Sequence, residues 1–385
     1  MTSDAHIGDE AFIVEPSRIS EVGTVGPSRI PVRNLWHMFL YASDLLSMLG
    51  KFEAAVEDGP ALVGLLARIL CESVERRLRR GMPRGYVATA GELNAIRGKI
   101  DVLRSVRAVS FERARVYCRF ETLAIDTPRN RIIKSTLVDL LSGGKFGPGD
   151  DPSGTLRMRL KTLVTWMREV AVVRVTRDSF RREQIGRNDT NDRMILALCD
   201  MVRYLLLPTE TEGSVELREI DREYKLVGRV YERFVTRFYE LQLRPLGWQI
   251  WPQKHLDWPV IGASSGMHEH LPGMQADLVL TDPKRQRRVI IDTKFTNVLT
   301  RGRQEREVFK SANLYQIYAY LRTQEASSPA ISEGLLLYPA VNWTCGESMM
   351  LDGHILRLAT VDLARPWAEI ENALTAMVLA SHAAC

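Results

Sequence analysis

The sequence predicts an α/β protein: a mainly helical N-terminal domain carrying a β finger, then a C-terminal domain whose sheet is flanked by helices in α/β/α order. Three observations point there. Apolar residues recur at helical spacing from Asn34 to Leu49 and from Ala61 to Leu78. Between Tyr86 and Val106 the pattern turns to short β-like stretches broken by Gly91 and Gly98. Beyond residue 226 the order becomes helix, strand-turn-strand, helix, strand. With 385 residues the chain exceeds the usual size of one domain, so two are expected, each large enough for its own core.

Residues 1–28, with Gly8, Pro16, Gly23, Gly26 and Pro27 and no sustained apolar period, read as a flexible leader. Folding is expected to begin near Arg29. In the first helix Leu35, Met38, Phe39, Ala42, Leu45, Leu46 and Leu49 form one apolar face. The finger follows, with Glu92 to Asp101 at its tip. Asp126 and Thr127 then precede Pro128 and the run Ile132, Ile133, Leu137, Leu140 and Leu141, so a capped helix starts there with proline at its first position. Gly143, Gly144, Gly147, Pro148 and Gly149 end it. Helical patterns continue from Leu156 to Val170 and from Asp192 to Leu207, and Thr209 to Gly213 reads as a linker. The N-terminal domain is thus expected over 29–210 and the second over 216–385.

The second domain opens with a helix from Leu226 to Leu243 whose apolar face uses Val227, Val230, Phe234, Phe238 and Leu241. Ala276 to Leu280 and Val289 to Phe295 are apolar runs joined by the turn Asp282-Pro283-Lys284-Arg285. A helix from Ser311 to Leu321, a strand from Gly334 to Tyr338, further β structure to Val361 and a helix from Pro366 to Leu379 complete it.

Hydrophobic residues at 45% and charged residues at 26% exclude a wholly disordered or collagen-like chain. The five cysteines (Cys71, Cys118, Cys199, Cys345 and Cys385) are scattered and never form a C-x-x-C pair, which argues against a disulfide framework and a structural zinc site. An acidic start from Met1 to Glu10 lacks the pattern of a signal peptide, and no apolar run reaches membrane-spanning length, so a cytoplasmic protein is expected. The net charge of +5 permits nucleic-acid binding without demanding it. Arginines cluster at Arg76, Arg77, Arg79 and Arg80, at Arg285, Arg287 and Arg288, and at Arg301, Arg303 and Arg306, as solvated faces or as tracks for phosphates.

Chemistry concentrates in the strand-turn-strand segment. Hydrolysing a phosphodiester calls for a divalent cation that neutralises phosphate charge and lowers the pKa of a water, and Mg²⁺ prefers carboxylate oxygens. Asp292 and Lys294 lie two apart on one strand and therefore share a face, while the hairpin brings Asp277 alongside. An acid and a base inside the run Val289, Ile290, Ile291, Phe295 would be costly to bury unpaired, so they mark either an ion pair or a site. The arrangement is that of a PD-(D/E)xK nuclease, with Mg²⁺ as cofactor and Mn²⁺ able to substitute. Glu232 on the preceding helix is a candidate further metal ligand, and Gln316 with Tyr320 at i+4 is placed to lean over the site. His268 and His270 lack an evident third ligand and read as loop.

Five motifs extend beyond this triad: Ile30-Pro-Val-Arg-Asn34 with Tyr41-Ala, Ile96-Arg-Gly-Lys-Ile-Asp101, Asn130-Arg-Ile-Ile-Lys-Ser-Thr136, Asp292-Thr-Lys294 and Asn313-Leu-Tyr-Gln316. Together, in this order, they resemble the McrC family, the nuclease subunit of McrBC-type, modification-dependent (type IV) restriction systems. The resemblance implies a Mg²⁺-dependent endonuclease with Asp277, Asp292, Lys294 and Gln316 in its catalytic centre, and Asp277, Asp292 and Glu232 toward the metal. It also implies an McrB-like AAA+ GTPase ring as partner and double-stranded DNA with modified cytosine as substrate. No G-x-x-x-x-G-K-[ST] loop occurs here, consistent with that division of labour. By the same resemblance the finger would enter the ring, with Arg97 and Lys99 as candidate contacts. The leader and the long loop 259–272 depart from the family's best-known members. A non-catalytic adaptor that activates an AAA+ ring and a stand-alone DNA-repair nuclease are the competing readings.

Overall fold

The computed structural model describes residues 30–50, 62–142, 153–183, 189–206, 215–284, 286–301, 306–324, 331–342 and 344–380, with Asp151 and Gly186. The expected leader, the glycine run 143–149 and the linker 209–213 lie outside the described residues.

The first half is helical. Helix α1 (Val32–Ala42) is followed by α2 (Leu62–Leu78), and a small sheet of β1 (Gly85–Leu93), β2 (Lys99–Ile100) and β3 (Val116–Ala124) interrupts the helices, with the short helix α3 (Val102–Arg107) between its last two strands. Strand order is β1-β3-β2, so β1 pairs along its length with β3 and not with its neighbour β2. Gly98 makes the turn into β2: its φ is +67°, and a Cβ there would stand 2.4 Å from the Arg119 carbonyl oxygen. Asp101 caps α3, accepting from the Arg104 amide at 3.1 Å and pairing with Arg119 at 2.6 Å. Helices α4 (Pro128–Ser142), α5 (Thr155–Trp166), α6 (Arg177–Arg181) and α7 (Thr190–Leu206) complete this half. The expected cap of α4 is present as Thr127 Oγ1, which accepts from the Asn130 amide at 3.2 Å.

Helix α8 (Val215–Leu243) leads into β4 (Gln249–Leu256), the short helix α9 (Ser265–His270), β5 (Met274–Asp282) and β6 (Arg287–Thr293). A small ribbon of β7 (Leu299–Arg301) and β8 (Glu307–Phe309) precedes α10 (Ser311–Gln324), and β9 (Ile331–Ala340), β10 (Gly346–Leu351), β11 (His354–Asp362) and α11 (Trp367–Leu379) follow. The six-stranded sheet has the order β10-β11-β9-β6-β5-β4. Strands β6, β9 and β11 are parallel, and the others join antiparallel. His268 and His270, expected in loop, sit on α9 and are exposed.

Alternation along the central strands sorts their side chains between two cores. Val289, Ile291, Leu335 and Leu337 face α8 and α11, whereas Ile290, Leu336 and Tyr338 face α10. The mixed α/β layering expected from the sequence is therefore present. The first core also takes in α1, α2, α4, α5 and α7, so the N-terminal helices and one face of the sheet share a continuous apolar interior. Tyr41 of α1 packs edge-on to Phe234 of α8 with ring centroids 5.4 Å apart and donates to Glu371 of α11 at 2.6 Å. Asn34 donates to the Leu363 and Arg365 carbonyls at 2.7 and 2.9 Å. Among the described residues no helix is long and apolar enough to cross a membrane.

Candidate active site

Strands β5 and β6 pair with Leu278 opposite Ile291 as their last bridge on this side. One step beyond that bridge Asp277 comes beside Asp292, close enough for its charge to raise the Asp292 pKa. Where the ladder stops, the Asp277 side chain takes over. Its Oδ2 accepts from the Thr293 amide and from Thr293 Oγ1, both at 2.8 Å, which fixes the carboxylate and leaves Oδ1 without a protein donor among the described residues.

Asp292 is 2% exposed. Its Oδ2 lies 2.7 Å from Lys294 Nζ, yet no hydrogen bond of sound geometry reaches that buried oxygen. Burial lifts its pKa from 3.8 to about 6; the Lys294 ammonium opposes that rise and the Asp277 charge adds to it. Lys294 continues β6 toward β9, its amide bonding to the Leu337 carbonyl at 2.9 Å, and its ammonium donates to Gln316 Oε1 at 2.8 Å. Gln316 Nε2 donates to the Tyr320 hydroxyl at 2.6 Å, and that hydroxyl donates to the Gln275 carbonyl at 2.8 Å. The helix bearing Gln316 comes close because β9 offers it a glycine: a Cβ on Gly334 would stand 2.7 Å from Ile317 Cγ1 and 3.0 Å from Leu321 Cδ1.

Glu232 approaches from α8, half-buried, and accepts from Gln253 Nε2 at 2.5 Å. Its pKa is raised by burial first and by the negative charge of Asp277 second, which places it in the field of the pair. Among the described residues no three His, Cys, Asp or Glu side chains converge as a metal cage. Two carboxylates, each with an oxygen short of a protein donor, suit a hard divalent cation that keeps water or phosphate oxygens at its other positions, as Mg²⁺ does.

The sequence-predicted residues thus fall in two places. Asp277, Asp292, Lys294 and Gln316 meet at the end of the β5-β6 hairpin, with Glu232 beside them. Arg97 and Lys99 lie in the N-terminal sheet, where the Arg97 guanidinium sits 4.7 Å over the Phe120 ring and Lys99 is exposed opposite Arg119. Sequence reasoning passed over Thr293, Gln253 and Gln275. For Thr293 the one signal is its place in the sequence, between Asp292 and Lys294. Neither glutamine had one.

Residues 22–339 match the family described as McrBC 5-methylcytosine restriction system component. The type IV methyl-directed restriction enzyme EcoKMcrBC of Escherichia coli K12 is 26% identical over 345 residues, covering 90% of this chain and 96% of the relative. Among solved structures, the half-complex from a tetradecameric assembly of Thermococcus gammatolerans McrB AAA+ hexamers with bound McrC aligns with a TM-score of 0.47 at 16% identity, over 90% of this chain and 76% of that one. The cryo-EM structure of the Thermococcus gammatolerans McrBC complex aligns with a TM-score of 0.34 at 19% identity, over 57% of this chain and 60% of that one.

Proposed function

Because the chain belongs to the McrBC 5-methylcytosine restriction system component family, we propose that it is the McrC-like endonuclease subunit of such a system, a PD-(D/E)xK enzyme that hydrolyses DNA phosphodiesters with Mg²⁺. The observation that carries this reading is the nearness of Asp277 to Asp292 just past the last bridge between their adjacent strands, with Lys294 Nζ 2.7 Å from the buried Asp292 carboxylate. In it, residues 216–385 form the nuclease domain and residues 29–210 the partner-binding domain of a cytoplasmic protein.

Asp277 and Asp292 hold the cation, and Thr293 keeps Asp277 from rotating away. Bound Mg²⁺ supplies charge neutralisation at the phosphate and a more acidic water. Lys294, steadied by Gln316, directs its ammonium at the negative charge that grows as the water oxygen bonds to phosphorus and the P–O bond to the leaving nucleotide breaks. An McrB-like AAA+ GTPase ring is the partner, and DNA carrying modified cytosine the substrate. What supports docking through the finger is the exposure of four large apolar side chains, Ile96, Leu103, Val106 and Phe111, within the segment that carries Arg97 and Lys99.

The test is cleavage of cytosine-methylated duplex by the purified chain with an McrB-like partner, GTP and Mg²⁺. Asp277→Asn, Asp292→Asn and Lys294→Ala should each abolish cutting while assembling normally. Wild-type cutting by any folded, assembled variant would overturn the site assignment.

A further inference from the structure

The hydrogen bonds around the carboxylate pair extend past Tyr320 to a residue on the edge of the sheet. Gln275, whose carbonyl receives the Tyr320 hydroxyl, donates through Nε2 to the Gln253 carbonyl at 3.0 Å, and the Gln253 carboxamide in turn reaches Glu232 at 2.5 Å. Residue by residue the contacts thus lead from Lys294 through Gln316, Tyr320, Gln275 and Gln253 to Glu232, passing through the bodies of the two glutamines, whose carbonyls accept and whose carboxamides donate.

Gln253 is the unusual member. It stands across from Asp277 in the β4-β5 register, yet the ladder passes it by, pairing Pro252 with Leu278 and Lys254 with Ala276. Its φ is +48°, left-handed backbone that a residue with a Cβ holds only when its surroundings fix it there. The kink coincides with a change of face. Ile250 and its partner Leu280 lie in the core beneath α8, whereas Leu256, Met274 and Ala276 lie in the core beneath α10, although regular alternation would put residues 250 and 256 on one side.

We infer that Gln253 is a positioning residue of the metal site: its left-handed backbone aims the carboxamide at Glu232 and so holds that carboxylate facing Asp277 and Asp292, adding a third negative charge to the field that attracts a divalent cation. The inference rests on the proposed nuclease reading and deepens it. A carboxylate free to rotate would swing away from two like charges, so something must hold it. The amide does so without a charge of its own, which a lysine or arginine at the same place would not. The field stays negative until a cation arrives.

The experiment uses the full-length chain, without DNA, and titrates Mn²⁺ as the probe by calorimetry. Gln253→Gly and Gln253→Asn both accept left-handed backbone and both withdraw the carboxamide from Glu232. Each is expected to unfold, metal-free, at the wild-type temperature or above it, yet to bind Mn²⁺ about two- to tenfold more weakly, the worth of one hydrogen bond. The Mg²⁺ concentration for half-maximal cleavage in the assembled complex should rise by the same factor, with DNA affinity in Ca²⁺ unchanged. In a Glu232→Gln background, Gln253→Gly should weaken Mn²⁺ binding no further, because both act through one carboxylate. Unchanged Mn²⁺ affinity in both variants overturns the inference and leaves the nuclease reading standing. A lower metal-free unfolding temperature in both makes Gln253 a structural kink only, which also overturns it. Asp292→Asn is the control: should it bind Mn²⁺ like wild type, the metal reading itself is wrong and the inference falls with it.

Discussion

Asp292→Asn should make the metal-free protein more stable while destroying the site. The Asp292 carboxylate is 2% exposed, and its pKa rises from 3.8 to about 6 on folding. That rise corresponds to ~3 kcal/mol of destabilisation when the group is ionised. The sign follows from proton binding. The folded state holds the proton more tightly, so the penalty is absent below pH 4, grows through about pH 6 and is complete at pH 7.5. Asparagine never ionises and escapes it. The attraction of Lys294 is already contained in that pKa, and the lysine, 22% exposed, keeps its bond to Gln316 in the variant; what reduces the gain is the imperfect fit of an amide in a carboxylate's place. A net gain of ~1–3 kcal/mol is expected, a rise in melting temperature of roughly 1–4 °C for a chain of this size. Thermal unfolding followed by circular dichroism in EDTA should show that rise at pH 7.5 and about half of it at pH 5. Added Mg²⁺ should then raise the melting temperature of wild type alone. A variant no more stable than wild type at pH 7.5, or a gap equal at both pH values, would refute the argument.

Gly334→Ala pushes a methyl to 2.7 Å from Ile317. The overpacking should cost about 1–3 kcal/mol in denaturant melts and lower kcat by loosening Gln316 from Lys294, with assembly retained. Gln316→Ala alone should reduce kcat by about tenfold, near 1.4 kcal/mol, milder than loss of the lysine, and stopped-flow cleavage reads the difference. Cutting should require Mg²⁺ or Mn²⁺ and be weak with Ca²⁺, whose looser geometry activates water poorly; full activity in excess EDTA would contradict a metal site. Deleting residues 92–101 should abolish both assembly and stimulation of the partner's GTPase, since a segment that favours one ring state must shift the ring toward it. Normal GTP turnover with the deletion variant would refute the finger assignment alone.

Strand alternation and a short hairpin were enough to bring Asp277, Asp292 and Lys294 together from sequence, because period two and a tight turn are local rules. The apolar period overruns α1 for a local reason as well: it continues to Leu49, but Asp44 adopts φ +57° and the helix ends at Ala42. Helix α8 begins at Val215, earlier than Leu226, and that start is legible too: Leu217, Ile220, Tyr224 and Val227 recur at helical spacing through the charged stretch. Non-local facts were illegible. Nothing near residue 90 says that β1 pairs with β3 in preference to β2, and nothing near residue 253 says that an edge strand kinks there, because the partners that enforce both are far away in sequence. Gln253 also breaks a propensity rule, and such breaks gather where a site demands them.

Asn34 and Tyr41 complete their hydrogen bonds only with residues some 330 positions later, at Leu363 and Glu371. On the ribosome, α1 therefore emerges roughly 20–70 s before its partners exist, at about 5–20 residues per second. The apolar face of α1 does not wait as long, since Trp36 and Phe39 share an apolar gap with Leu62, Leu65 and Leu66 of α2, the next long helix to be made. The first helix made is thus packed early but fastened late, when Asn34 and Tyr41 meet acceptors that only the C-terminal segment supplies.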